Sequence, residues 1–213
     1  MATIRIAVLG AGKIGGTLGS KWAATGHQVA FGVTDPASSR AQALRAELGQ
    51  DATIGEVADA LAASEVVALA VPGGAVDALL AAYASQLDGK MIIDAANRMG
   101  GGPMNSVAAI SAAAPNARVY RAFNSLGWEN FADPVVNGVQ ADLFYAGPDD
   151  AANGAAGDAR ATVEQLIRDV GLRPVYVGGP EQVALVDAVA SLWFALALGQ
   201  GKGRHLAFKA LMP

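Results

Sequence analysis

Residues 6–16 read IAVLGAGKIGG, and this stretch decides the fold that the sequence predicts. A short apolar strand runs directly into three glycines spaced G-x-G-x-x-G, at Gly10, Gly12 and Gly15, and a helical pattern follows. In that context the first glycine permits a tight turn, the second lets a pyrophosphate approach the backbone, and the third lets the helix pack closely on the sheet. The free N–H groups and positive dipole end of the helix favour phosphate.

Strand-like and helix-like segments alternate outward from this motif. Eight apolar runs are predicted to form strands: IRIAVLG, HQVAFG, ATIG, VVALAV, KMIIDA, RVYRAF, DLFYAG and RPVYVG. Helical patterns between them place helices on both faces of the sheet, which predicts an α/β fold of the Rossmann type, doubly wound and mostly parallel. We assign residues 1–179 to this dinucleotide-binding domain. The Gly/Ala/Asp-rich stretch at 147–158 is expected to be a surface connection.

From Pro180 onward the pattern changes, because no further strand is expected. Residues 180–213 are predicted to form two helices around a Gly-rich bend, as a C-terminal helical tail that packs on the same domain or in a dimer interface. The apolar stretch 183–199 is interrupted by Asp187 and Ser191 and falls short of a continuous membrane span of roughly 20 residues. We interpret it as a buried helix, on the sheet or in a subunit interface.

The composition excludes several classes of function. The 213 residues are 53% hydrophobic and 16% charged, with a net charge of −4, which provides no basic surface for nucleic acid or an anionic membrane. The sequence has no cysteine, which excludes thiolate nucleophiles and Cys-ligated metal centres. The N-terminal MATIRIAVLG shows no targeting segment. We therefore expect a cytoplasmic protein that binds neither nucleic acid nor membrane.

The end of the second strand distinguishes NAD from NADP. An NAD site carries Asp or Glu there, which accepts hydrogen bonds from the ribose 2′-OH. In HQVAFGVTDP the comparable position is Val33, which accepts nothing, and Asp35 follows in a predicted turn or helix cap. Donors to a 2′-phosphate could come from Thr34, Ser38, Ser39 and Arg40, although Arg40 could equally be a solvated charge on a helix face. We favour NADP over NAD.

Later strand ends complete a crevice at the carboxyl edge of the sheet. VALAVPGGAV brings the backbone of Val71 and Pro72 beside the nucleotide, where ligands bind in such folds, although a simple strand-to-helix turn would have the same sequence. The stretches DAANRMGGG, which includes Ala96 and Asn97, and AFNSLGWENF follow the next two strands. Both are expected to line the crevice over the nicotinamide.

Acid–base groups are scarce in the sequence. Of the two histidines, His27 precedes the second strand and is expected to be structural, and His205 lies in the terminal segment. Asp94 ends a central strand, where capping a loop is a simpler role than catalysis. We name no catalytic residue and no metal ligand. Hydride transfer between two stacked cofactor rings needs mainly their positioning in a dry site, so this scarcity suits such chemistry.

These residues together resemble the NADP-dependent coenzyme F-420 oxidoreductase family, small Rossmann proteins that move hydride between NADP(H) and an 8-hydroxy-5-deazaflavin. The resemblance spans essentially the full length and rests on GAGKIGGTLG, GHQVAFGVTDP, ALAVPGGAV, RAFNSLGWENFADP, DLFYAGPD, GLRPVYVGG and LGQGKGRHLAFKAL. It implies a cytoplasmic, dimeric oxidoreductase in which hydride passes directly between nicotinamide C4 and C5 of the deazaflavin, or N5 of a flavin.

The resemblance also implies cofactor-binding residues by position. The pyrophosphate loop is matched by Gly10, Ala11, Gly12, Lys13, Ile14 and Gly15. Val33 and Thr34 match the pair that grips the 2′-phosphate, and Thr34 departs from the pattern because family members carry Arg there. Val71 and Pro72 match the backbone beside the nicotinamide ribose, and the loops around Ala96, Asn97 and Asn124 match the lining of the second-cofactor pocket.

In the family the tail closes that pocket and builds the dimer. The cations Lys202, Arg204, His205 and Lys209 could meet the phosphate and glutamyl tail of the deazaflavin, or form a solvated basic helix end. Two other functions remain open: an NADPH-dependent reductase of a small imine or carbonyl substrate, and a non-catalytic dinucleotide-binding redox sensor. Imine and pyrroline-carboxylate reductases carry a longer C-terminal helical domain, which counts against the first alternative.

Overall fold

The computed structural model describes residues 2–149 and 159–212, and the chain divides into two compact units, Met1–Val119 and Tyr120–Pro213. Most of the connection predicted at 147–158 lies outside the described residues. The predicted tail boundary at residue 180 falls within the second unit and stays a prediction.

The first unit contains a parallel sheet in the order β5-β4-β1-β2-β3. Its strands are β1 (Arg5–Leu9), β2 (Gln28–Val33), β3 (Ala52–Glu56), β4 (Val66–Leu69) and β5 (Met91–Asp94). The register pairs Leu9 with Gly32 and with Leu69, so the strands end at one common edge. Loops that leave this carboxyl edge are where ligands bind in open parallel sheets.

Helices connect successive strands of this sheet. They are α1 (Lys13–Ala24), α2 (Ser39–Leu48), α3 (Val57–Ala62), α4 (Val76–Leu87), which follows a 3₁₀ turn at Gly73–Ala75, and α5 (Val107–Ala113). The central strands are buried on both faces, as their unbroken apolar sequences predict: Val67, Leu69 and Ile92 are fully buried. Each such side chain contributes about 1.5–3 kcal/mol by its removal from water.

The second unit begins within β6 (Arg118–Arg121), which the short helix α6 (Trp128–Ala132) follows. A hairpin of β7 (Val135–Val136) and β8 (Val139–Gln140) comes next. Then follow β9 (Asp142–Ala146), α7 (Ala159–Asp169), β10 (Arg173–Gly178), a 3₁₀ turn at Pro180–Gln182, and α8 (Val183–Phe194) with a π-helical turn at Ala195–Gly199. Strand β9 pairs parallel with β10 and antiparallel with β6.

The structure confirms the predicted Rossmann-type, mostly parallel α/β fold. All eight predicted strands and the six helical patterns before Pro180 are present, whereas α6 and the β7–β8 hairpin were not predicted. The turn of that hairpin, Asn137-Gly138, has φ of 52° and 79°, the positive values that a tight two-residue hairpin requires.

The prediction of a second helix in the tail is wrong. Residues 200–212 contain no helix, because side chains and strands of the second unit bind the tail's carbonyl groups. Trp193 Nε1 donates to the Leu206 carbonyl at 2.7 Å, and the Asp142 amide donates to the Phe208 carbonyl at 3.1 Å. Those carbonyls are therefore not available for helical hydrogen bonds.

Helix α8 is buried on one side within the chain, so the predicted burial of its other side depends on the subunit-interface alternative. Val186, Ala190 and Trp193 are buried, but Leu185 and Leu192 are 54% and 51% exposed. Within the described residues, Pro180–Gly199 is the single helical segment long and apolar enough to cross a membrane. The core helix of a soluble protein meets the same criterion, so this finding is weak evidence for a membrane span.

Candidate dinucleotide-binding cleft

A cleft of about 790 Å³ opens at the carboxyl edge of the sheet in the first unit. Its lining comes from the loops that follow β1, β2 and β4, from the ends of β2 and β3, and from α4. The volume lies within the range of small-molecule and cofactor sites.

The glycine loop shapes the floor of this cleft. Gly10 has φ of +107°, and a Cβ there would lie 2.6 Å from the carbonyl oxygen of Ala70. A Cβ on Gly15 would overlap the carbonyl of Gly10, whereas one on Gly12 would meet only a guanidinium nitrogen of Arg40, at 4.0 Å. The first and third glycines are therefore required by packing, and the second leaves open space against the backbone, as the motif predicts.

Helix α1 begins at the edge of this space. Gly12 is its N-cap residue, Lys13 begins the helix, and the first turn contains no acidic residue. The positive end of the helix dipole and the backbone N–H groups of its first turn are suited to an anionic group, and no carboxylate in that turn competes with it.

Asp35 belongs to the turn before α2, as the sequence predicts. Its Oδ1 accepts a hydrogen bond from the Ala37 amide at 2.9 Å, and its carbonyl accepts one from Ser38 Oγ at 2.7 Å. Ser38 in turn caps α2, since its Oγ accepts from the Ala41 amide at 3.4 Å. The strand-end position itself is Val33, half-buried, and the exposed Thr34 follows it in the wall of the cleft.

Arg40 is the cation that the structure places in the cleft. Its Nε donates to the carbonyl of Ala11 at 2.7 Å, which holds the side chain across the glycine loop. In the described part of the chain its guanidinium forms no ion pair, and the residue is exposed. This position favours the donor role over that of a solvated charge on a helix face.

The ends of β4 and β5 lie next to each other. Gly73 is packed against the backbone of Asn97 and Arg98, so a side chain at Gly73 would not fit. Asp94 is fully buried and caps the loop that follows β5: its Oδ1 accepts from the Ala96 amide at 3.2 Å and its Oδ2 from the Ser106 amide at 2.7 Å. The loop-capping role anticipated for Asp94 agrees with this geometry.

The structure brings together eight of the thirteen cofactor-binding residues that the sequence suggested. Those that line the cleft are Gly10, Ala11, Gly12, Val33, Thr34, Arg40, Val71 and Pro72. Those that do not line it are Lys13, Ile14, Gly15, Ala96 and Asn97. Gly15 lies beneath the loop, and Ala96 and Asn97 lie in the adjoining loop after β5.

Sequence reasoning missed the ion pair that fastens this adjoining loop. The Arg98 guanidinium donates to both carboxylate oxygens of Asp77 on α4, at 3.0 and 2.5 Å, and its Nε donates to Ser106 Oγ at 2.9 Å. The hydrogen bond from Arg98 lowers the pKa of Asp77. No spacing in the sequence relates these residues, because the irregular loop after β5 brings Arg98 to Asp77 and Ser106.

The second unit contains a separate buried polar cluster. Arg121 is fully buried and its Nε donates to Asp187 Oδ1 at 2.8 Å, while Asn124 Nδ2 donates to the same oxygen at 3.3 Å. His27, in the first unit, is buried and its Nδ1 accepts from the Ile4 amide at 3.2 Å, consistent with a structural role. The described residues contain no group of three or more His, Asp or Glu able to hold a metal ion.

Most cations of the tail make structural contacts. Arg204 Nε donates to Glu129 at 2.6 Å, Lys209 Nζ to Asp142 at 2.9 Å, and His205 Nε2 lies 2.9 Å from the Asp133 carbonyl. The alternative of a basic helix end is wrong, because the segment is not helical. These contacts favour a role in fastening the tail over one in binding a deazaflavin.

Comparison with known families identifies the cleft. Residues 5–98, which contain the glycine loop and the ends of β1 to β5, match the family described as NADP oxidoreductase, coenzyme F-420-dependent. Over these residues the chain is similar to this family, and the match supports an NAD(P)-dependent oxidoreductase. No curated protein sequence matches it significantly.

Solved structures of similar fold extend over both units. A candidate F-420-dependent NADP-reductase from Arthrobacter sp. FB24 is 26% identical, with a TM-score of 0.82 over 98% of this chain and 100% of that one. A hypothetical protein from Sinorhizobium meliloti is 27% identical, with a TM-score of 0.69 over 100% and 97%. A reductive aminase from Aspergillus terreus, solved with NADPH, is 23% identical, with a TM-score of 0.67. The match covers 94% of this chain and 64% of the aminase chain.

Proposed function

We propose that the chain transfers hydride directly between NADP(H) and a deazaflavin of the coenzyme F-420 type, or a flavin, stacked on the nicotinamide. The observation that carries this proposal is the pairing of an open glycine loop with Arg40, a cation held over the loop by the Ala11 carbonyl. The family match over the same residues supports it.

The residues present in the cleft fit NADP(H). The backbone at Gly12 and the start of α1 would receive the pyrophosphate, and the strand end at Val33 carries no carboxylate to repel a 2′-phosphate. Arg40, with the hydroxyl of Thr34, would bind that phosphate. Val71 and Pro72 would support the nicotinamide ribose, with the loop of Ala96 and Asn97 beyond them. When bound, NADPH supplies the hydride at nicotinamide C4.

The positions of Asp94 and the two histidines suit a second cofactor as hydride acceptor. The buried Asp94 caps a loop and both histidines make backbone contacts, so none of these three residues lines the cleft as an acid or base. The carboxylates that do line it are Asp35, which is held in the turn before α2, and Glu56. Transfer between stacked rings requires their alignment rather than a proton donor. The family description names coenzyme F-420 beside NADP, which supports a second cofactor.

An acceptor panel tests this proposal. NADPH oxidation by the purified protein is measured with F-420, FMN, FAD, riboflavin, ferric chelates and a cyclic imine, and each assay is repeated with NADH. Turnover with F-420 that is lost when NADH replaces NADPH supports hydride transfer to a deazaflavin. Turnover with a flavin supports the flavin alternative of the same proposal. Turnover with the imine alone, or saturable binding of NADPH without any turnover, would contradict it in favour of an imine reductase or a sensor.

We also propose that α8 forms the interface of a homodimer, as the family resemblance implies. Leu185 and Leu192 are seven residues apart, which places them on one side of α8, and they are 54% and 51% exposed. Leu198, in the π-helical turn that follows, is 53% exposed. The cytoplasmic location stays a prediction.

Substitution of Leu192 by Glu is expected to convert the dimer to a monomer, because the carboxylate would be buried against an apolar partner surface. Light scattering after size exclusion should give twice the chain mass of 21.5 kDa for the wild type and 21.5 kDa for the variant. Leu211→Glu is the matched control, since Leu211 is 91% exposed in the tail and should leave the mass unchanged. A wild type that is monomeric at micromolar concentration would refute the interface.

A further inference from the structure

Two polar side chains in the cleft have no part in the function proposed so far. Glu56 and Tyr83 both line the cleft, and neither makes a side-chain hydrogen bond or ion pair with the described residues. Glu56 is also the N-cap residue of α3, yet its carboxylate makes no capping hydrogen bond. The carboxylate is therefore available to a ligand rather than used by the fold.

The sheet register places Glu56 relative to the expected dinucleotide. Glu56 is the register partner of Val33, the strand-end residue at which the adenosine ribose binds in this fold. Adjacent strands lie about 4.8 Å apart. Glu56 therefore lies one strand beyond the ribose position, on the side away from β4 and the nicotinamide position. A group bound there extends from the ribose, as the purine base does.

A second set of cleft-lining residues is suited to a flat apolar ring. Ala75, in the 3₁₀ turn before α4, and Ala78, Leu79 and Tyr83 on α4 have the spacing of one helix face. The small side chains of Ala75 and Ala78 leave a shallow surface, and Tyr83 lies at the end of this stripe, where the helix is locally distorted (φ −130°). An aromatic base fits between this set of residues and the strand ends.

We propose that Glu56 selects adenine by accepting a hydrogen bond from its exocyclic 6-amino group, while the cleft-lining residues of α4 pack against the ring. This inference rests on the proposed NADP(H) function and adds recognition of the base at the same site. A carboxylate is an acceptor only, so it favours a base with an amino group at position 6 over a purine with no hydrogen-bond donor on that edge. Hydrogen bonds to charged groups discriminate more strongly than neutral ones.

The test compares NADPH with the reduced nicotinamide purine dinucleotide phosphate, which carries hydrogen in place of the 6-amino group and has no donor at N1. Dissociation constants are measured by calorimetry for the wild type, Glu56→Gln and Glu56→Ala. We expect the wild type to bind NADPH about tenfold more tightly than the analogue, a modest ratio because Glu56 is exposed. The ratio should fall to about twofold or less in Glu56→Ala, which has no acceptor, and to an intermediate value in Glu56→Gln, whose amide oxygen is a neutral acceptor.

Glu47→Gln is the control, since Glu47 lies exposed on α2 outside the cleft and its loss removes the same charge. Equal binding of both dinucleotides by the wild type, or a preference unchanged in Glu56→Ala, would overturn base recognition while leaving NADPH binding intact. A Glu56→Gln effect that distinguishes NADPH from NADH instead of the two bases would place the carboxylate at the ribose and also overturn it. Failure to bind either dinucleotide would overturn both this inference and the proposed function.

Discussion

Replacement of Arg40 by Gln is expected to weaken NADPH binding about thirtyfold and to leave NADH binding within about twofold. The loss corresponds to about 2 kcal/mol for one partly exposed, charge-assisted contact with phosphate. The reason is positional: the Arg40 guanidinium is held over the glycine loop by the Ala11 carbonyl, and it forms no ion pair with described residues. NADH lacks the 2′-phosphate, so the loss of Arg40 removes no phosphate contact from it and its affinity should change little.

Calorimetric titration of both dinucleotides measures this effect. Arg45→Gln is the matched control, because Arg45 lies on the same helix and donates to the Ile54 carbonyl at 2.9 Å, outside the cleft lining. A loss of equal size for NADH and NADPH would contradict phosphate recognition. It would show that Arg40 acts by supporting the glycine loop through Ala11.

Replacement of Asp142 by Ala is expected to lower the free energy of unfolding by about 3 kcal/mol, because breaking a buried ion pair leaves its partners uncompensated. The fully buried Asp142 carboxylate accepts hydrogen bonds from Arg173 Nε and a second Arg173 nitrogen, each at 2.6 Å. It also accepts from Lys209 Nζ at 2.9 Å and from the Ala210 amide at 2.7 Å. These contacts join β9 and β10 to the tail.

The same carboxylate gives a pH dependence of stability. Burial raises the pKa of Asp142, but hydrogen bonds from Arg173, the Ala210 amide and Lys209 outweigh it and hold the pKa below its usual value. A lowered pKa in the folded state stabilises the fold above the unfolded value of about 3.9, and the stabilisation is lost as pH falls through the folded-state pKa.

Urea unfolding of the wild type and Asp142→Ala at pH 7 and at pH 3 measures both effects. The difference in free energy of unfolding between the two proteins should reach its full value of about 3 kcal/mol at pH 7 and be smaller at pH 3. Asp51→Ala, at an exposed residue whose carboxylate has no partner among the described residues, is expected to change stability by less than about 0.5 kcal/mol. A difference for Asp142→Ala that is the same at both pH values would contradict the charge-based account.

The glycine loop and the alternation of elements could be predicted from the sequence because each depends on local backbone requirements. Gly10 needs positive φ, and Gly15 must accept close packing, so glycine at those positions reports the geometry directly. The predicted tail helix was wrong because its apolar spacing cannot show that Trp193 and Asn130 bind the Leu206 carbonyl. A tertiary contact there overrides helix propensity.

The polar contacts of the site could be predicted only in part. Arg40 was a candidate by residue type, but its hydrogen bond to Ala11, 29 residues away, depends on how α2 lies on the sheet. Glu56 carried no sequence motif and is identified by its register with Val33. Such cross-strand and helix-to-loop relations are fixed by packing between distant segments rather than by spacing along the chain.

Direct hydride transfer is tested most directly by deuterium labelling of NADPH. NADPH that carries deuterium at the transferred C4 position is incubated with the protein and F-420 in ordinary water, and the reduced deazaflavin is analysed by mass spectrometry. Carbon-bound hydrogen at C5 does not exchange with solvent, so the account predicts one deuterium in the product. Reduced deazaflavin that carries only solvent hydrogen, or no reduction while NADPH binds, would contradict direct transfer to a deazaflavin.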